Sequence, residues 1–153
     1  MKYDPVFHIV LHEPEIPQNT GNIGRTCVAM GAKLWLVKPL GFSMEERALR
    51  RAGLDYWQHL EWEVAENWEN LQQCLPDRAP WFLSKKATTL YTEATFLRGD
   101  ILVFGCETQG LPDSMLEAHA IRGLRIPIRD QVRSLNLSNA VAVTMFEAFR
   151  QIS

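Results

Sequence analysis

The sequence predicts an α/β fold in which a mostly parallel β-sheet is flanked by helices. Short apolar runs alternate along the chain with segments whose apolar residues recur at helical spacing, and this alternation is typical of βα units. The 153 residues suit one domain, 1–153, because no repeat, linker or low-complexity segment divides them. Hydrophobic residues at 46% and charged residues at 22% are ordinary for a globular domain and exclude a disordered or fibrous chain.

The predicted strands are short apolar runs bounded by proline, glycine or polar residues, which is the pattern of strands buried on both faces. They are expected at 6–11, 34–37, 81–84, 101–105 and 124–128, while 55–64 is ambiguous between a strand and irregular structure. Pro14 and Pro17 exclude regular structure directly after the first strand. Pro127 cannot donate a backbone hydrogen bond, so the last strand must lie at an edge, a terminus or a bulge.

The predicted helices are expected at 19–30, 43–53, 66–74, 112–118 and 136–150. Gly31 is a suitable stop for the first helix. Ser43 and Glu46 have the spacing of a capping box at the start of the second. The last helix has apolar residues four apart, which predicts a core face formed by Leu137, Val141, Met145 and Phe149.

The net charge of −2 argues against nucleic-acid binding by bulk attraction, because proteins that bind polyanions usually carry a basic excess. If RNA is the partner, positive charge must be gathered locally or contributed by two subunits together. The candidate basic groups are Lys85 with Lys86, Arg47 with Arg50 and Arg51, and Arg122 with Arg125, Arg129 and Arg133.

The cysteines indicate a reducing compartment. Cys27, Cys74 and Cys106 are far apart and odd in number, which argues against a disulfide framework and a zinc site. The first apolar stretch is too short for a signal peptide, and no segment approaches the ~20 apolar residues of a transmembrane helix. We therefore expect a cytoplasmic protein with no membrane contact.

Three loops are candidate sites because ligands of parallel α/β sheets bind beyond the carboxyl ends of the strands. The first, PQNTGNIGR at 17–25, joins a strand to a helix, and its N–H groups and Arg25 favour an anion. It contains neither the GxGxxG of dinucleotide-binding folds nor the GK[ST] of a P-loop. A capped helix start with a solvated Arg25 fits the spacing equally well.

The other two loops also combine glycine or polar residues with a strand end. In FGCETQGL at 104–111, two glycines flank Glu107, which would let the backbone approach a ligand closely. A tight turn with a surface glutamate is the alternative. IPI at 126–128 precedes SLNLSNA at 134–140, whose two serines and two asparagines exceed what one helix N-cap requires. An elaborate helix cap is the alternative here.

Several other features are interpreted as structural. His12-Glu13 does not begin an HExxH zinc motif, because position 16 is isoleucine. His8 lies within a predicted strand and is expected to be a satisfied core or surface histidine. Three aromatic residues are expected to pack internally and not to stack on bases: Trp57, Trp62 and Trp68.

Taken together, the three loops resemble the three signature motifs of the SPOUT (α/β-knot) RNA methyltransferases. NTGNIGR at 19–25 is similar to motif 1, FGCETQG at 104–110 to motif 2, and IPI with SLNLSNA at 126–128 and 134–140 to motif 3. Three motifs in this order over a compact chain are far more specific than any one of them.

Within that group the chain resembles the small tRNA (cytidine(34)-2'-O)-methyltransferases. The resemblance is carried by EPEIPQNTGNIGR at 13–25, PLGF at 39–42 and LRRAGLDYW at 49–57, and it is weakest at 58–80. One departure is LSKKA at 83–87, where the family commonly has a threonine-rich segment ending in Lys-Gly.

The resemblance implies the fold, cofactor and partners. It implies a C-terminal deep trefoil knot, although chains generally do not knot, and a homodimer. It implies transfer of a methyl group from S-adenosyl-L-methionine (AdoMet), without a metal, to the ribose 2'-oxygen of wobble position 34 of tRNA. Cytidine or a modified uridine, in leucine isoacceptors, is the implied target nucleotide.

The resemblance also implies which residues bind the cofactor. AdoMet would be held largely by backbone groups, and a side chain at position 105 would block it. The corresponding positions are Leu83, Gly105, Ile126 and Ser134, with Leu135 and Asn139 as neighbours.

Four further residues correspond to the catalytic set. Arg25 matches the arginine that activates the hydroxyl; since a guanidinium stays protonated, we interpret it as an anchor for the adjacent phosphate and the hydroxyl. Asn19 would orient Arg25, and Asn136 would support the third loop. Glu107 would either offset the positive charge of the cofactor or organise its turn.

Three alternative functions follow from the same residues. The chain could be a SPOUT enzyme for another tRNA or rRNA site, since the substrate rests on the resemblance alone. It could be a non-catalytic AdoMet- or RNA-binding module, which the presence of Arg25, Glu107 and Asn136 disfavours. A Rossmann-type oxidoreductase is disfavoured by the missing GxGxxG.

Overall fold

The computed structural model describes residues 4–45 and 56–153, which form a six-stranded sheet. Its strands are β1 (His8–His12), β2 (Lys33–Val37), β3 (Trp62–Ala65), β4 (Trp81–Leu83), β5 (Ile101–Phe104) and β6 (Gly123–Leu124). The order across the sheet is β3-β2-β1-β5-β4-β6, and every neighbouring pair is parallel. The predicted parallel α/β architecture is confirmed.

Helices pack on both faces of the sheet. They are α1 (Pro17–Met30), α2 (Trp68–Cys74), α3 (Asp113–Ala118) and α4 (Leu137–Ile152). Short 3₁₀ turns occur at Trp57–His59, Tyr91–Glu93 and Ala120–Arg122. Successive residues of a strand point to opposite faces: Ile9 and Leu11 join the core cluster containing α1 and α4, whereas Val10 joins the cluster containing α2 and α3.

The two proline-based predictions have different outcomes. Pro17 does not prevent regular structure but begins α1, because the first N–H groups of a helix have no partner within it and proline lacks only that donor. For the strand expected to carry Pro127, the sequence left an edge, a terminus or a bulge open, and β6 lies at the edge of the sheet beside β4. However, β6 ends at Leu124, earlier than predicted, and Arg125 makes only an isolated bridge to Leu90.

The core face of α4 also differs from the prediction at one position. Val141 and Met145 are fully buried, but Phe149 is 37% exposed and Ala148 is buried in its place. At ~3.6 residues per turn, each four-residue step overshoots a full turn by roughly 40°. A line of residues four apart therefore leaves the core after three steps.

Two expectations are not decided by these elements. The helix predicted at 43–53, with Arg47, Arg50 and Arg51, falls mostly outside the described residues, although Ser43 Oγ accepts a hydrogen bond from Glu45 N–H at 3.1 Å. The knot stays a prediction, because strand order states which strands are neighbours and not how the chain is threaded. Within the described parts of the chain, we find no helix long and apolar enough to cross a membrane.

Candidate active site

A partly open pocket lies at the carboxyl ends of β4 and β5. Its walls come from the loops after β4, β5 and β6 and from the start of α4. Five of the six predicted cofactor-binding residues line it, namely Leu83, Gly105, Ile126, Ser134 and Leu135. Asn139 is not among the lining residues, and its role as a neighbour of the cofactor stays a prediction.

One wall of the pocket is a tight turn between Gly105 and Gly110. Gly110 N–H donates to the Cys106 carbonyl at 3.0 Å, and Gly110 has a left-handed φ of 70°. A Cβ at Gly105 would overlap the carbonyl carbon of Gly110 and lie 2.6 Å from its Cα. A side chain here would therefore collide with the backbone of the turn itself, and the expectation that it would also block the cofactor stays a prediction.

Glu107, in the same turn, binds the start of α1. Its Oε1 accepts the Glu15 N–H at 2.8 Å, and its Oε2 accepts the Ile16 N–H at 2.8 Å. Ile16 is the N-cap of α1 and makes no capping hydrogen bond with its own side chain. A carboxylate at a helix start satisfies backbone donors and interacts favourably with the helix dipole. Of the two predicted roles for Glu107, the contacts support organisation of the turn.

Asn19 links the first, second and third candidate loops. Its Nδ2 donates to Glu107 Oε2 at 3.2 Å, and its Oδ1 accepts from Asn136 Nδ2 at 3.1 Å. Asn136 is the N-cap of α4, where its Oδ1 accepts from the backbone of Ser138 and Asn139. Only 6% of Asn19 is exposed, so a buried amide with both ends bonded fixes the two helix starts relative to the turn.

Arg25 is exposed on α1, and its Cζ lies 4.5 Å from the centre of the Tyr56 ring. In the described part of the chain, the guanidinium has no carboxylate partner and no hydrogen bond to Asn19, so the predicted orientation by Asn19 is not direct. It is also not among the residues lining the pocket. Stacking on Tyr56 uses the face of the guanidinium, so among the described residues its N–H groups have no hydrogen-bond acceptor and can bind a phosphate or hydroxyl.

Glu15 is a site residue that the sequence did not single out. Its carboxylate accepts the Thr108 N–H at 2.9 Å and the Thr108 hydroxyl at 2.8 Å. These bonds lower the pKa of Glu15 below its ordinary value, with a further contribution from the Cys106 thiol. The only available signal was an acidic residue just before a helix, since its partner lies 93 positions away.

Some of the candidate basic residues bind other groups of the chain, whereas others are exposed side chains that could contact RNA. Lys86 Nζ pairs with Asp113 at 2.6 Å, and Lys85 Nζ donates to the Arg133 carbonyl at 3.5 Å, so these two lysines connect the loop after β4 to the start of α3 and to the loop before α4. Arg122 stacks 3.5 Å from the Trp81 ring and donates to backbone carbonyls. Arg122 is therefore structural, whereas the side chains of Arg129 and Arg133 are exposed.

The residues interpreted as structural are packed as predicted. His8 is 8% exposed, and its Nδ1 accepts from Trp35 Nε1 at 3.1 Å. Burial, reinforced by the positive charges of Lys33 and Arg78, lowers the pKa of His8 to about 4. Trp57 and Trp62 contact each other with ring centres 5.4 Å apart.

Comparison with known proteins identifies the family of the chain. The model of the SpoU rRNA methylase family matches residues 6–146. The chain belongs to the SpoU rRNA methylase family. A tRNA (cytidine(34)-2'-O)-methyltransferase from Saccharophagus degradans is 48% identical to this SpoU-family chain over 149 residues, which cover 96% of each protein.

Solved structures agree with this membership. One solved structure, described as giving structural insights into the 2-OH methylation of C/U34 on tRNA, is 43% identical in sequence to this chain. The two structures superpose with a TM-score of 0.90 over 95% of each chain. An AdoMet-bound rRNA methyltransferase from Sinorhizobium meliloti has a TM-score of 0.83 at 24% identity, over all of this chain and 62% of that one, and shows the shared fold. The predicted resemblance is confirmed, and the Rossmann oxidoreductase alternative is excluded.

Proposed function

We propose that this chain transfers a methyl group from AdoMet to the ribose 2'-hydroxyl at wobble position 34 of tRNA, a cytidine or a modified uridine. The observation that carries the proposal is the convergence of the second and third loops in one pocket, with the first loop bonded to them through Asn19 and Glu107. The relative and the solved structure that are 48% and 43% identical to the chain are described by the same reaction.

The pocket suits AdoMet by its composition. Backbone groups near Gly105 and Ser134 lie beside the apolar side chains of Leu83, Ile126 and Leu135, which combines hydrogen-bonding groups with an apolar surface. Ligand pockets are typically apolar with a few fixed polar groups. When bound, AdoMet supplies an activated methyl group on a sulfonium, so no metal is required of the chain.

The chain itself must orient the reactants and assist proton loss from the ribose hydroxyl. A guanidinium is a cation and a hydrogen-bond donor and not a base, so we assign Arg25 to binding the neighbouring phosphate and the hydroxyl oxygen, which stabilises the developing negative charge. Glu107 and Asn19 hold the start of α1, the helix that carries Arg25. Asn136 holds the start of α4 beside the pocket.

We also propose that the enzyme acts as a cytoplasmic homodimer of single domains, 1–153. The support is an apolar stripe on α4, where Val143, Phe146 and Phe149 are 40%, 54% and 37% exposed. Large apolar side chains grouped on one exposed helix face are typical of association surfaces. A second copy would also double the exposed cations, which an acidic chain needs to hold RNA. A monomer mass by light scattering would contradict this.

Methyl transfer from labelled AdoMet tests the activity. We expect label in bulk tRNA, in leucine isoacceptors, at a single ribose that maps to position 34. Because the family model is that of an rRNA methylase, ribosomal RNA is assayed in parallel. Label in rRNA alone would favour that substrate, and calorimetry showing tight NAD binding without AdoMet binding would refute the proposal altogether.

A further inference from the structure

Glu15 and Glu107 bind each other's loops in a reciprocal arrangement. The Glu107 carboxylate accepts the backbone N–H groups of Glu15 and Ile16, and the Glu15 carboxylate accepts the backbone N–H and hydroxyl of Thr108. The two carboxylates therefore connect the end of β1 to the turn after β5 in both directions. Hydrogen bonds to an ionised acceptor are stronger than those between neutral groups.

Thr108 is the exposed tip of the turn that lines the pocket. The base of the turn is fixed by the Cys106–Gly110 bridge and by the close approach at Gly105. At the tip, the bonds to Glu15 are the hydrogen bonds that Thr108 makes with other described residues. The tip position thus depends on Glu15.

The backbone of Glu15 packs against the segment PLGF at 39–42. Gly41 N–H donates to the Pro14 carbonyl at 2.9 Å, and a Cβ at Gly41 would lie 2.5 Å from the Glu15 carbonyl oxygen. The Glu15 backbone cannot retreat without moving that segment. Its carboxylate therefore provides a fixed reference for the turn.

We propose that Glu15 is a positioning residue for the cofactor-binding turn. Through Thr108 it sets the wall of the pocket, so its loss weakens AdoMet binding more than it slows methyl transfer at saturating AdoMet. The inference rests on the proposed function, because it takes AdoMet as the ligand of this pocket.

The expected effect of each Glu15 variant depends on whether it keeps an oxygen at the position of Oε1. Oε1 accepts both Thr108 donors, so Glu15→Gln keeps a neutral oxygen in that position, whereas Glu15→Ala removes the acceptor. We expect Glu15→Ala to raise the KM and Kd for AdoMet about tenfold, with kcat within about twofold of wild type. Glu15→Gln should stay within about threefold of wild type, because its amide oxygen can still accept the Thr108 N–H and hydroxyl.

A second test variant, Thr108→Val, and a control variant, Glu117→Ala, accompany these two. Thr108→Val removes the hydroxyl donor at an exposed position and should raise the KM for AdoMet without affecting folding. Glu117→Ala removes an exposed carboxylate of α3 that has no ion pair within the described residues, and it should match wild type. Thr108→Val also provides the test if Glu15→Ala fails to fold.

The outcomes separate the inference from the proposed function. If wild type does not bind AdoMet by calorimetry, the proposed function fails. If wild type binds AdoMet but Glu15→Ala and Thr108→Val bind it equally well, the positioning role is wrong while the function stands. Equal loss in Glu15→Gln and Glu15→Ala would mean that charge, and not the bonds to Thr108, matters, and this too would overturn the inference.

Discussion

Replacing Gly105 with alanine tests whether the turn after β5 is packed against its own backbone. The new methyl carbon would overlap the Gly110 carbonyl carbon and lie 2.6 Å from Gly110 Cα, whereas carbon atoms in contact are ~3.5–4.0 Å apart. Because the obstacle is main chain, the turn must move by more than ~1 Å, and overpacking of this kind costs ~1–3 kcal/mol. We expect the free energy of unfolding to fall by about that amount and the AdoMet Kd to rise about tenfold or more.

Gly31→Ala is the matched control for Gly105→Ala. Gly31 ends α1 with a φ of 88°, a Cβ added there would meet no atom of the described residues within 4 Å, and Gly31 does not line the pocket. Left-handed strain should lower the free energy of unfolding by ~1–2 kcal/mol without changing AdoMet affinity. Urea unfolding followed by tryptophan fluorescence gives the stabilities, and calorimetric titration gives the Kd values. Wild-type AdoMet affinity in Gly105→Ala would refute the packing argument.

Three further predictions concern catalysis, RNA binding and pH. Arg25→Ala should lower methylation of tRNA by about 10²-fold or more while the AdoMet Kd is unchanged; equal loss of both would mean that Arg25 only supports the fold. Charge reversal of Arg129 and Arg133 to glutamate should weaken tRNA binding and lower the slope of log affinity against log salt by ~0.7–0.9 per lost phosphate contact, and methylation persisting at ordinary salt would contradict a role in RNA binding. Burial lowers the pKa of His8 from 6.5 to about 4, so between these two pH values the imidazole takes up a proton in the unfolded state and not in the folded state. The free energy of unfolding should therefore fall by about 3 kcal/mol as the pH drops from 6.5 to about 4. His8→Asn, which keeps an acceptor for Trp35, should show a shallower pH dependence in urea titrations, and an unchanged slope would disprove the assignment.

The sequence was sufficient for features that depend on local periodicity. Continuous apolar runs predicted five of the six strands, and Pro127 limited the last strand to an edge, a terminus or a bulge, of which the edge is observed. Periodicity was insufficient where small angular errors accumulate, which is why Phe149 was placed in the core and Ala148 was not. Pro17 shows a second limit, because the same residue can end one element or begin the next.

The candidate site, too, was predictable from the sequence in its location but not in the role of each residue. The three loops were located because parallel strands bring their carboxyl ends to one edge of the sheet, and five of the six predicted cofactor positions line the pocket. The roles of Glu107 and Gly105 depended on contacts that spacing cannot supply. Glu107 contacts residues about 90 positions away, and the nearest obstacle to a side chain at Gly105 is backbone. Glu15 was missed for the same reason.

The most direct measurement of the central claim is methylation of a leucine tRNA in which the ribose of nucleotide 34 lacks its 2'-hydroxyl. The unmodified tRNA should accept one labelled methyl group per molecule from AdoMet, and the 2'-deoxy tRNA should accept none while still binding the enzyme. Placing the 2'-deoxy ribose at nucleotide 33 or 35 should leave methylation intact. Undiminished labelling of the tRNA that lacks the 2'-hydroxyl at position 34 would contradict the proposed function.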